Sequence, residues 1–94
     1  MSYSREQAEA LALKALEYLV GDDELMPIFM GSTGASVDDL RTGAADPVFL
    51  GAVLDFLMMD DQWLIRFCDG QNVKYDAIFQ ARQRLPGGEN VNWT

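Results

Sequence analysis

This chain overlays itself. Shifted by thirty-eight positions, Leu16-Glu17-Tyr18-Leu19-Val20-Gly21-Asp22-Asp23 lies over Leu54-Asp55-Phe56-Leu57-Met58-Met59-Asp60-Asp61. Continued without a gap, Phe29 falls on Phe67, Asp38 on Asp76 and Leu40 on Ile78. Gly34 falls on Asn72, and glycine and asparagine are the residues that most readily take a positive φ. The match therefore concerns a turn as well as apolar positions. It suggests one helical unit used twice, over 16–40 and 54–78, and that bounds the architecture.

The local signals all read as helix. Ser4 with Gln7 forms an S-x-x-Q capping box. Ala8, Leu11, Ala12, Ala15, Leu16 and Leu19 follow at i, i+3, i+4 spacing. Gly21 ends that helix, and Asp22 can cap a short second one carrying Leu25, Met26, Ile28 and Phe29. Gly31-Ser32-Thr33-Gly34 reads as a turn, after which Ser36 and Asp39 open a third helix. Asp46-Pro47 is an N-cap followed by proline at the first helical position. From Pro47 to Met59 the helix is apolar on nearly every side, the pattern of a buried centre. Asp60 or Asp61 opens a fifth helix, Gly70-Gln71-Asn72 turns the chain, and a sixth carries Tyr75, Ile78, Phe79 and Leu85. The fold expected is all-α, about six short helices in two pseudo-repeated three-helix units around a buried central helix. Residues 1–88 form a single domain and 89–94 a tail, with Trp93 a candidate to dock back on the body.

At 94 residues and 49% hydrophobic, the chain supports one small core without disulfides or metal. It carries 15 acidic and 7 basic residues, a formal charge of −8. Before Gly70 there are thirteen acids against four bases, and from Gly70 onward two acids against three bases. Most of the surface should repel phosphate backbones and anionic membranes. The apolar run at 47–59 is too short to span a bilayer and contains Asp55. The single cysteine, Cys68, permits no internal disulfide, and no signal-like segment opens the chain, so a cytoplasmic location is expected. There is no histidine, which removes imidazole triads and the commonest zinc ligand.

Phe-Met-Gly-Ser-Thr-Gly, Asp-Asp-Leu-Arg, Ala-Ala-Asp-Pro-Val-Phe-Leu, Val-Leu-Asp-Phe-Leu and the closing Leu-Pro-Gly-Gly together resemble a family of short alphaproteobacterial proteins known only as a domain of unknown function. The resemblance runs from about Ala8 to Gly88. It implies a small cytoplasmic helical protein and carries no catalytic residues with it.

Asp22-Asp23-Glu24 and Asp60-Asp61 are the obvious carboxylate clusters. A divalent cation or an acid/base pair is one use for them. Helix caps with first-turn acids, favoured by the positive end of the dipole, are the other, and no EF-hand spacing is present. Gly31-Ser32-Thr33-Gly34 lacks the G-K-[ST] ending of a phosphate loop. Cys68 matches Met30 and sits beside Phe67, the setting of an inert thiol, so it is expected to be buried. No cofactor and no metal are expected. The reading that remains is a small acidic protein-protein interaction adaptor or regulator with an unidentified protein partner. Its candidate contacts are Asp22, Asp23, Asp60 and Asp61, with Met26, Met30, Trp63 and Phe79 as apolar members. The alternative is a nucleic-acid-associated regulator using a helix-turn-helix-like C-terminal unit with Lys74, Arg82 and Arg84.

Overall fold

The computed structural model describes residues 4–86, all in helices and the turns between them. The helices are α1 (Arg5–Val20), α2 (Leu25–Thr33), α3 (Val37–Gly43), α4 (Pro47–Met58), α5 (Asp61–Gln71) and α6 (Tyr75–Gln83). Pro86 is the last residue described, so the expected tail and Trp93 lie outside this range.

The starts follow the predicted chemistry. At α1 both capping-box bonds form: Gln7 N–H donates to Ser4 Oγ at 3.1 Å, and Ser4 N–H to Gln7 Oε1 at 2.9 Å. At α3, Asp39 N–H donates to Ser36 Oγ and Ser36 N–H to Asp39 Oδ2. Asp46 and Asp60 accept from the N–H groups of Val48 and Gln62 at 3.0 and 2.8 Å. Each bond satisfies a donor the helix cannot pair internally.

Two predicted turns are shorter than the sequence pattern suggests. Gly31, Ser32 and Thr33 belong to α2, and only Gly34 leaves it, at φ 75°. The extra turn survives because Thr33 Oγ1 donates to the Phe29 carbonyl at 2.8 Å and Gly34 N–H to the Met30 carbonyl at 2.9 Å. Gly70 and Gln71 likewise extend α5, which Asn72 closes at φ 57°. Leu85 lies beyond α6, yet is fully buried.

Long α1 packs against α2, α4 and α6, while α4 packs against α1, α3, α5 and α6. The core gathers Leu16, Leu19, Phe29, Leu54, Leu57, Phe67, Ile78 and Leu85 from every part of the chain. Fully burying a side chain of this size is worth about 1.5–3 kcal/mol. Aromatic rings join the layers. Phe29 of α2 meets Phe49 and Phe56 of α4 edge-on, at 5.9 and 5.2 Å between centroids. Phe56 in turn stacks on Trp63 of α5 at 4.6 Å. Tyr18 of α1 meets Phe67 of α5 edge-on at 5.4 Å. No helix among the described residues is long and apolar enough to cross a membrane.

Candidate functional site

The two acidic junctions are first of all turn chemistry. Between α1 and α2, Asp22 Oδ1 accepts from Glu24 N–H at 2.9 Å and Leu25 N–H at 3.0 Å. Those two bonds, Leu25 foremost, favour the ionised carboxylate and hold its pKa below the ordinary value, with a smaller contribution from Arg66. Asp60 accepts one backbone bond at the start of α5. Asp23 and Asp61 beside them are exposed. No acidic side chain among the described residues is buried, and the ion pairs found there take up only Glu9, Asp38 and Asp55. No group of three or more metal-ligating side chains is gathered among the described residues.

The apolar candidates separate. Met26, Met30 and Trp63 pack half-buried against the core. Trp63 is held by its stack on Phe56. Phe79 on α6 is 50% exposed and is the one of the four that stands open to water.

The basic trio also separates. Arg82 is spent inside the fold: its Nε and Nη2 grip the Asp55 carboxylate at 2.6 and 3.0 Å, and its Nη1 donates to the Pro86 and Leu85 carbonyls at 3.0 and 3.4 Å. Gly51, one turn before Asp55, leaves the space, since a Cβ there would come within 2.9 Å of Nη1. This clamp ties α4 to α6 and to the chain leaving α6. Its sequence signal was a lone aspartate in an apolar helix with a glycine four residues earlier. Lys74 and Arg84 remain exposed at the two ends of α6.

Cys68 is fully buried, as expected, with Sγ 3.9 Å from the Lys74 carbonyl. Burial pushes its pKa up, and neighbouring Asp69 adds to the shift. Tyr75 donates its hydroxyl to Asp69 Oδ1 at 2.9 Å, which raises the phenol's pKa.

A groove of about 330 Å³, unmarked by the sequence pattern, lies where α2 ends and α3 hands over to α4. Val48, Phe49, Ala52 and Ala35 supply its apolar surface, and Asp39 and Asp46 its carboxylates. Gly43 shapes it, because a Cβ at that position would overlap the Phe49 ring. Phe49 and Val48 are consecutive in an apolar helix, and nothing in periodicity alone separates a core face from a groove wall. A second hollow of about 430 Å³ lies beside the Asn72 turn, lined by Cys68, Asp69, Asn72, Val73 and Lys74.

The sequence model of the family described as "Protein of unknown function (DUF3572)" matches residues 5–88, and the chain belongs to that family. No curated protein and no solved structure matches it.

Proposed function

We propose that this member of the DUF3572 family is a small acidic adaptor or regulator that acts in the cytoplasm by binding another protein, without catalysing a reaction. The observation that carries the reading is the placement of the carboxylates. Among the described residues they stand at the surface, most without an ion-pair partner, and many of them gather at helix junctions. Such a surface speeds encounter with a basic partner and repels nucleic acid. The nucleic-acid alternative loses Arg82 to the Asp55 clamp, and Lys74 and Arg84 alone make a narrow basic face.

The two junctions belong to a proposed pseudo-repeat, and several features support it. Helix ends Val20 and Met58, helix ends Thr33 and Gln71, and helix starts Val37 and Tyr75 each lie thirty-eight residues apart. The left-handed turns at Gly34 and Asn72 keep the same spacing. The aromatic pairs Tyr18–Phe67 and Phe56–Phe29 exchange partners under that shift, the crossed pattern of two units related by a two-fold axis. On this reading Asp22-Asp23 and Asp60-Asp61 form two similar acidic rims, and Phe79 on α6 is a separate apolar candidate.

The test is to capture a stoichiometric partner with the full chain and measure association rates across a salt series. Asp22, Asp23, Asp60 and Asp61 are then changed to Asn. A rate that falls at low salt, with the difference vanishing as the Debye length shrinks to about 10 Å at 0.1 M, supports the reading. An unchanged rate leaves the acids as a solubility device.

A further inference from the structure

Resting on the protein-binding reading above, we infer that the partner is seated in the groove between α2, α3 and α4. The occupant is a short protein segment that presents one aliphatic side chain beside a lysine or arginine. The groove's volume is at the small end of ligand pockets, room for a side chain or two rather than for a cofactor. Its apolar surface is formed by half-buried Phe49, Ala52 and Ala35 with exposed Val48. An aliphatic side chain entering there removes apolar surface on both sides from water.

The charge of the groove selects the neighbour of that side chain. No lysine or arginine lines it, while Asp39 and Asp46 do. Asp39 spends Oδ2 on Ser36 N–H and Asp46 spends Oδ1 on Val48 N–H, so each keeps one capping-free oxygen. The C-terminal end of α2, with no basic residue in its last turn, adds negative potential at Thr33 and Gly34. The N-terminus of α4 would oppose this, but Asp46 caps it. Arg41, the base carried by α3, is exposed and faces Asp38 at 3.9 Å. A second copy of this chain, itself at −8, is a poor occupant, and so is nucleic acid.

The corresponding hollow at the Asn72 turn shows that the fold does not require this charge. Thirty-eight residues on, Asp39 becomes Ala77 and Asp46 becomes Arg84, while Ser36 becomes Lys74. The same left-handed corner forms there with one acid and one base in the lining, Asp69 and Lys74, instead of two acids.

The experiment titrates the isotope-labelled full chain with the peptide acetyl-Lys-Leu-Arg-amide and follows backbone amide shifts by NMR. Acetyl-Lys-Ser-Arg-amide and acetyl-Glu-Leu-Glu-amide are the controls. Saturable shifts confined to 33–52, with both controls weaker, are expected. Ala52→Leu fills the groove and abolishes them. Asp39→Asn with Asp46→Asn keeps both capping oxygens, removes two charges and weakens binding several-fold. An unchanged spectrum elsewhere shows that each variant is folded. Absent shifts, or shifts centred on Phe79 or the Asp22 and Asp60 junctions, overturn the inference. A captured partner that binds Ala52→Leu as tightly as the native chain overturns it too, yet leaves the protein-binding reading standing. If no partner is captured and no peptide binds, both fall.

Discussion

The two left-handed corners of this molecule solve one folding problem with different residues and in different surroundings. At the first, Gly34 leaves α2 and the chain enters α3 through a Ser36–Asp39 capping box. At the second, Asn72 leaves α5 and the chain enters α6 at Lys74, which makes no side-chain cap. Beneath each corner sits a fully buried phenylalanine, Phe29 or Phe67. What the halves share is what the fold needs: the ring, the turn and the buried aliphatics. What they do not share is the charge beside the corner, two acids at the first, Asp39 and Asp46, and one acid with one base at the second, Asp69 and Lys74, and that is where a difference in binding has to lie.

The largest effect should come from the shared rings. Phe29→Ala and Phe67→Ala each remove a fully buried ring and should cost about 3–5 kcal/mol, read as a lower midpoint in denaturant. Phe29 should cost more, because it makes two edge-on contacts where Phe67 makes one. Equal losses would mean that the Phe49 contact contributes nothing.

Next is a feature present in only one half. Thirty-eight residues before Asp55 and Arg82 stand Glu17 and Ala44, so under the proposed repeat the clamp has no equivalent in the first half. Asp55→Ala leaves a mostly covered guanidinium, 15% exposed, without its carboxylate. The expected loss is about 1–2 kcal/mol, tempered by the half-exposed aspartate. Glu17→Ala should stay within about 0.5 kcal/mol. Similar losses at the two positions would show that the pair is only a surface contact.

Much of this fold was legible in advance because caps and apolar stripes are local. Ser4, Ser36, Asp46 and Asp60 each announce a helix start within a few residues, and the structure forms each bond. Helix ends were harder. Gly31 reads as a stop, but a threonine bonding back to the preceding turn carries α2 to Thr33, and that competition cannot be seen in periodicity. The groove and the partner of Asp55 in the clamp were not legible for a different reason. Both depend on residues far apart in sequence, Asp55 with Arg82 and Ala35 with Phe49, and only packing brings such residues together. The apolar candidates show the same limit. Met26, Met30, Trp63 and Phe79 look alike as residue types, yet three lean on the core and one stands in water.

The corners themselves give a smaller test. Gly34→Ala places a side chain at φ 75° and should cost about 1–2 kcal/mol, although no neighbour crowds it. Gly34→Asn should cost less, since asparagine holds the same conformation at the other corner. Asn72→Gly should be close to neutral. A larger loss at Asn72 would mean that its side chain, and not its φ, is what the second corner needs.

The finest distinction lies between the two capping aspartates. Asp60 accepts one backbone N–H, and Asp60→Ala should cost about 0.5–2 kcal/mol. Asp22 accepts two, so Asp22→Ala should lower Tm further than Asp60→Ala does. The charge on Asp22 can be separated from its oxygen by Asp22→Asn. Its folded pKa lies below the ordinary value of 3.8, so the ionised form is the one the fold favours. The stabilisation is therefore fully present above pH 3.8 and is lost as pH falls through the lower, folded value. Asparagine has no such dependence. The Tm gap between the native chain and Asp22→Asn should be constant at neutral pH and close only in the acid range below that value. A gap that persists unchanged into strong acid would mean that the two N–H bonds act through geometry alone. The difference between the two junctions would then be a count of hydrogen bonds, with no part for charge.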